Sequence, residues 1–206
     1  MKRGLILFGF LCLHMLTFPQ ILRMFGGLNL TKYGSSFVSN STSFSQKSGF
    51  SGGIAFAFPV SKGLSIETDL LYSEKGSGIV LLYSANQQFS GIYRYSAIGI
   101  PLMIKINFFP ESTPYLLLGP EIDFIFSHKL KLTDTQEVFD LKETTNHIGF
   151  GINSGIGYEF PIHSFALFFE FRYTIGLSNL LTGNTDTEKI RNTSLQFLIG
   201  GRLNLK

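Results

Sequence analysis

From residue 22 onward the dominant pattern is a series of segments, about 9 to 15 residues each, in which apolar residues recur at every second position, and this alternation constrains the fold more than any other feature of the chain. The clearest case is Ser164 to Leu177. Phe165, Leu167, Phe169, Phe171, Tyr173, Ile175 and Leu177 fall on one side, and Ser164, Ala166, Glu170, Arg172, Thr174 and Gly176 on the other. A helix would scatter these residues around its circumference, whereas an extended strand sorts them onto two faces. Tyr95 to Phe108 repeats the pattern, with Ile98, Ile100, Leu102, Ile104, Ile106 and Phe108 opposite Ala97, Gly99, Pro101, Met103, Lys105 and Asn107.

Further segments follow the same rule. Leu116, Leu118, Ile122, Phe124 and Phe126 oppose Gly119, Glu121, Asp123 and Ser127; Ile148, Phe150, Ile152, Ile156, Tyr158 and Phe160 oppose His147, Gly149, Gly151, Asn153, Gly155, Gly157 and Glu159. Leu195 to Leu205 supplies a last strand, Ser51 to Phe58 an early one, and Leu64 to Ser73, with Glu67 and Asp69 on its polar face, another. A first strand around Met24 to Thr31 is blurred by Gly26 and Gly27, and with it the total is eight, an even number.

Each strand therefore has one greasy face and one small or charged face. Charged residues are only 15% of the chain, against roughly 25% in ordinary soluble domains, while Phe and Gly each occur 22 times. Past residue 20 no window holds the roughly 18 uninterrupted apolar residues that a membrane helix requires. An apolar chain without helical spans fits the other structure that a bilayer accepts, a closed barrel. The connections agree. Those near Ser61 to Gly63, Pro110 to Ser112 and Pro161 to His163 are short; those near 32–48, 74–91, 129–145 and 178–191 are long and polar, and the two kinds alternate strictly. The expected fold is all-β, an eight-stranded antiparallel up-and-down transmembrane β-barrel with short periplasmic turns and four longer extracellular loops.

The N-terminus reads as a secretory signal. Lys2 and Arg3 precede an apolar stretch from Gly4 to Phe18 that is too short to span, with cleavage expected between Thr17 and Arg23. We divide the chain into a signal peptide, 1–20, and an outer-membrane barrel domain, 21–206. The single cysteine, Cys12, falls inside the signal behind the large residues Phe10 and Leu11, which argues against lipid attachment. Net charge is +3 and no Lys/Arg stripe forms, so nucleic acid is not an expected partner. The expected partners are outer-membrane lipid and other envelope or secretion proteins, around a monomeric barrel.

Two readings of the faces compete. A soluble eight-stranded carrier of lipocalin type would turn the greasy face inward around a ligand. The other face would then be the solvent surface, and its glycine ladder suits a crowded lumen better. In the membrane reading the lumen holds Glu67, Asp69, Lys105, Glu121, Asp123, Glu159, Glu170, Arg172 and Arg202, and enclosed charges must be paired. Similar heights on neighbouring strands suggest the pairs Lys105 with Glu67, and Glu170 with Arg202. Tyr72 and Tyr173 near the outer ends, and Tyr158, Phe160 and Phe165 near the short turns, are expected to form interfacial girdles.

Catalytic signals are weak. There is no Gly-rich phosphate loop, Cys-based metal site or His-Glu-x-x-His segment, and no cofactor is expected. His128 and His147 flank the third long loop and could converge with Asp134, Asp140 or Glu143, but solvated loop histidines are the simpler reading. The Asn-x-Ser/Thr triplets at Asn29, Asn40 and Asn192 are read as chance.

Several short segments carry a family resemblance: Gly27-Leu28-Asn29-Leu30; Leu70-Leu71-Tyr72-Ser73 with Lys75-Gly76; Ile100 to Lys105; Pro114-Tyr115 with Gly119-Pro120; and Arg172-Tyr173 with Gly176-Leu177 and Asn179. In this order the chain resembles the PorT-like outer-membrane β-barrels of Bacteroidetes-type bacteria, over nearly all of its length past the signal. The C-terminal Asn204-Leu205-Lys206 departs from the usual aromatic ending. The resemblance implies fold and location. The namesake's link to secretion and gliding-related export is not carried over, because no residue here is diagnostic of it. The leading expectation is a non-enzymatic barrel serving envelope structure, surface interaction or an export assembly. A membrane-embedded hydrolase or acyltransferase with a rim site near His128 and His147, and the soluble carrier, are the alternatives.

Overall fold

The computed structural model describes residues 21–35, 42–84, 87–109, 114–163, 165–182 and 189–205. The strands are β1 (Ile21–Ser35), β2 (Thr42–Ser45), β3 (Lys47–Ser61), β4 (Leu64–Ser84), β5 (Gln87–Asn107), β6 (Pro114–Leu132), β7 (Val138–Asp140), β8 (Ile148–Ile162), β9 (Phe165–Gly176) and β10 (Ile190–Asn204). Eight are long, while β2 and β7 are short additions. Each long strand pairs antiparallel with its sequence neighbour, and β1 pairs with β10 from Ile21↔Asn204 to Ser35↔Ile190. That last ladder closes the sheet and removes its edges, so the ladder groups need no water. Residues 1–20, the expected signal, lie outside the described residues.

Alternation sets the orientation of the wall. On β9 every odd residue from Phe165 to Ile175 is exposed, and every even residue from Ala166 to Thr174 is buried. Phe169 is 49% exposed and its neighbour Phe168 is 0% exposed. Exposed Ile, Leu and Phe side chains likewise cover the outside of β5, β6, β8 and β10, while Arg23, Glu67, Glu170 and Arg172 are fully enclosed. The soluble-carrier alternative is thereby corrected, because a carrier needs the apolar side chains inside.

Positive φ angles occur in two of the short periplasmic links. Gly63 takes φ +87 between β3 and β4, a left-handed conformation that glycine adopts without steric cost. His163, exposed between β8 and β9, takes φ 53.

On the extracellular side the strands run further than composition suggests. The segment expected as a loop over 74–91 is instead the far half of a long hairpin, paired from Glu74↔Ser96 to Ser84↔Gln87. Its Ser and Gly content resembles a loop, yet Ile79 still points inward and is buried. Similarly, β6 continues to Leu132 and β7 folds back on it. The β3–β4 ladder stops at Ser51↔Ser73, and β2 resumes pairing with β4 only at Ser45↔Gly78. In the gap, side chains of β1 take over the role of a strand. Asn29 Nδ2 donates to the Glu74 carbonyl at 3.0 Å, and Thr31 Oγ1 accepts from Gly76 N–H at 2.8 Å and donates to the Gly76 carbonyl at 2.7 Å.

Parity also changes near the top of β6. A register shift opposite Ser96 and Ala97 leaves Phe126 as an extra residue, so Ile125 and His128 both face inward. A bulge of this kind re-aims every side chain beyond it.

Candidate functional site

The lumen is filled by two charged layers and an aromatic cap. The lower layer is built around Arg23, which β1 brings into the centre of the barrel and which is 0% exposed. Its guanidinium donates to Glu67 on β4, to the Tyr115 hydroxyl at 2.6 Å, and to Glu170 on β9 at 2.8 Å. Tyr115 passes the chain on, donating to the same Glu170 oxygen at 2.6 Å. The guanidinium also lies 3.8 Å above the centre of the Phe168 ring. Arg172 binds Asp69 and Glu170, and approaches Glu67 at 3.5 Å. Lys105 pairs with Glu159, which also accepts from Arg202 at 3.0 Å. Arg23, Lys105, Arg172 and Arg202 thus face Glu67, Asp69, Glu159 and Glu170, four cations against four carboxylates. Such balance is what an enclosed network requires, since a lone buried charge is very costly.

The pairings differ from those expected. Lys105 goes to Glu159 and not to Glu67, whose main partner is Arg23; Glu170 binds Arg23 and Arg172, while Arg202 goes to Glu159. The reason is geometric. Long side chains inside a narrow barrel cross the lumen, so Lys105 on β5 meets Glu159 on β8 although β6 lies between them in the wall.

The upper layer joins Lys75 to Glu121 at 3.2 Å and to Asp123 at 2.5 Å. Asn153 Nδ2 donates to the second Glu121 oxygen at 2.8 Å, and Thr174 Oγ1 donates to it at 3.4 Å. Arg23, Tyr115, Phe168 and Lys75 were absent from the expected lumen set. Arg23 stands at the edge of the signal and Lys75 inside an expected loop, while Tyr115 and Phe168 share the parity of Glu121 and Glu170, which is the signal that finds them.

Above these layers Tyr33, Tyr95 and Leu180 close the lumen, with Tyr33 5.7 Å from Tyr93 and 6.1 Å from Phe44, ring to ring. His128 is 1% exposed, which corrects the solvated-loop reading; its imidazole lies 2.6 Å from Thr145 Oγ1 and 3.3 Å from the Tyr33 hydroxyl. His147 is exposed, as are Asp134, Asp140 and Glu143. The two histidines therefore do not form one site. His128 instead fastens the third extracellular loop, because its carbonyl also accepts from Leu141 N–H at 2.9 Å.

On the outer wall, Tyr158 packs 4.5 Å from Phe160, which meets Phe169 edge-on at 6.0 Å, beside the turn that leads to the exposed Phe165. Tyr72 is half-buried between Phe50 and Phe126, with its hydroxyl 3.3 Å from Glu74, and Tyr173 is exposed. Among the described residues no group of three metal-ligating side chains converges.

A closed antiparallel barrel with an apolar outer belt and a charged, filled interior defines a transmembrane β-barrel. Residues 22–182 match the outer membrane protein beta-barrel domain family, and the chain belongs to that family. It is a small protein of the bacterial outer membrane. The fold is similar to that of the outer membrane protein OprG from Pseudomonas aeruginosa, at 11% identity and TM-score 0.56, covering 91% of this chain and 96% of that one. The outer membrane protease OmpT from Escherichia coli is similar at 7% identity and TM-score 0.52, again over 91% of this chain and 96% of that one. At these identities the likeness concerns the fold. No curated protein matches the chain.

Proposed function

We propose that this chain is a non-enzymatic, PorT-like barrel that works through its extracellular end and periplasmic rim, in envelope structure, surface interaction or an export assembly. The observation that carries this reading is the filled lumen. Charged groups of the lower layer are tied across the barrel, and an aromatic cap sits above them, so the interior serves as a strut. An eight-stranded barrel has space for such filling and little else. Lys105 and Arg172, two of the residues on which the PorT-like resemblance rests, both belong to the network.

The same reading takes residues 1–20 as a cleaved signal and 21–206 as the barrel domain, with outer-membrane lipid and other envelope or secretion proteins as partners of a monomer. Protease activity belongs to OmpT by name. For this chain a hydrolase centred on His128 and His147 has no geometry behind it, because the ring nitrogens of His128 already face Tyr33 and Thr145. The test is conductance in planar bilayers. The purified protein is expected to give no steady ion current, and stable open channels would overturn the strut.

A further inference from the structure

The lipid-facing wall carries an unexplained concentration of positive charge just beyond its outer apolar edge. On β5 and β6, Arg94 and Lys129 stand directly opposite one another, with Lys131 two residues further along the same face. Like charges set opposite across a ladder destabilise a sheet unless something neutralises them. Among the described residues, no carboxylate forms an ion pair with any of the three. The two acids on this face are turned elsewhere. Glu74 takes the Tyr72 hydroxyl and Phe50 N–H, each at 3.3 Å; Asp140, opposite Lys129 on β7, takes Lys142 N–H at 2.9 Å.

The three cations line a groove of about 350 Å³ that Ser96, Ser127, Ile92 and Val138 also border. Below it the wall is apolar, with Ile98, Phe124 and Phe126 exposed. Arg94 lies four residues above Ile98, which at the rise of a strand is about 13 Å along it. For a strand tilted about 45° that is roughly 9 Å above Ile98, on the headgroup side of the apolar wall. A guanidinium fork, two ammonium groups and hydroxyl donors make a suitable cradle for a phosphate dianion.

We propose that this groove on β5 and β6 seats the phosphate of an anionic lipid in the outer leaflet. The inference depends on the outer-membrane location and not on the non-enzymatic reading, so either can fail alone.

Native mass spectrometry tests it, with the full barrel in micelles holding equal amounts of diphosphorylated lipid A and its dephosphorylated counterpart. Each cation near an anionic membrane surface is worth about a fivefold factor in binding. The wild-type barrel is therefore expected to retain the phosphorylated form at least about tenfold better. The variant Arg94→Gln/Lys129→Gln/Lys131→Gln should lose that preference, and Lys62→Gln, a change in a periplasmic turn, should keep it. All four side chains are outside the lumen, and a heat-modifiable gel shift verifies that each variant is folded. Equal retention of the two lipids, or a preference that survives the triple substitution, would overturn the proposal. Binding of soluble dextran sulfate that depends on the three cations, without any lipid preference, would also overturn it, by assigning the groove to a soluble polyanion.

Discussion

Replacing Arg23 by Met keeps an unbranched apolar stem, shorter than the original side chain, and removes the guanidinium and its charge. In the folded barrel the guanidinium bridges Glu67 and Glu170 and contacts the Tyr115 hydroxyl, all of them buried. The two carboxylates would not suffer equally. Glu170 keeps the Arg172 guanidinium and the Tyr115 hydroxyl, whereas Glu67 keeps only Arg172, at 3.5 Å. Removing one partner of a buried ion pair costs about 3–5 kcal/mol, and here the cost falls mostly on Glu67. Arg23→Met should therefore destabilise the barrel by about that amount. Glu67→Gln should also destabilise it, by stripping Arg23 of one of its two carboxylate partners. The double variant should recover about 1–3 kcal/mol relative to the sum, because the stranded charge is gone. Arg23→Lys should fall between, since an ammonium cannot span two carboxylates as a fork does. Urea titration followed by far-ultraviolet circular dichroism and by the folded band on unheated gels measures these differences; the chain has no Trp for fluorescence. A loss below about 1 kcal/mol for Arg23→Met, or single effects that add within about 0.5 kcal/mol, would refute the bridging role.

Two further expectations concern the same interior. A methyl group at Gly157 would sit 2.3 Å from the Tyr115 ring, so Gly157→Ala should displace Tyr115 and cost about 1–3 kcal/mol in the same titration, while Gly201→Ala, with open space around it, should be near neutral. His128→Ala should speed amide exchange across 142–146 and leave 138–141 and the barrel strands protected, because the imidazole contacts Thr145 while the backbone of β6 holds Leu141 and β7 independently.

The strands were readable because a two-sided wall writes its two environments directly into alternate positions. Phe165 to Leu177 could hardly be anything else. What eluded the sequence has specific causes. The long β4–β5 hairpin was hidden by serines and glycines that resemble a loop, although Ile79 keeps the alternation. Arg23 was obscured by the glycines that follow it and by its closeness to the expected cleavage site. The inward turn of His128 depends on one bulged residue, Phe126, and no periodicity reveals a bulge in advance. Similar heights along the wall suggest neighbouring strands as ion-pair partners, whereas the side chains meet across the lumen. Alternation says which residues enter the lumen, and only the closed ring says whom they meet there.

The central claim, apolar side chains toward lipid and charges inside, rests on facing, and adjacent residues on β9 test it most directly. Single tryptophans at Phe169 and Phe168, placed in a chain that otherwise has none, report whether each position touches brominated acyl chains. The account predicts strong quenching for Phe169→Trp and little for Phe168→Trp. Quenching of Phe168→Trp alone, or equal quenching of both, would contradict it.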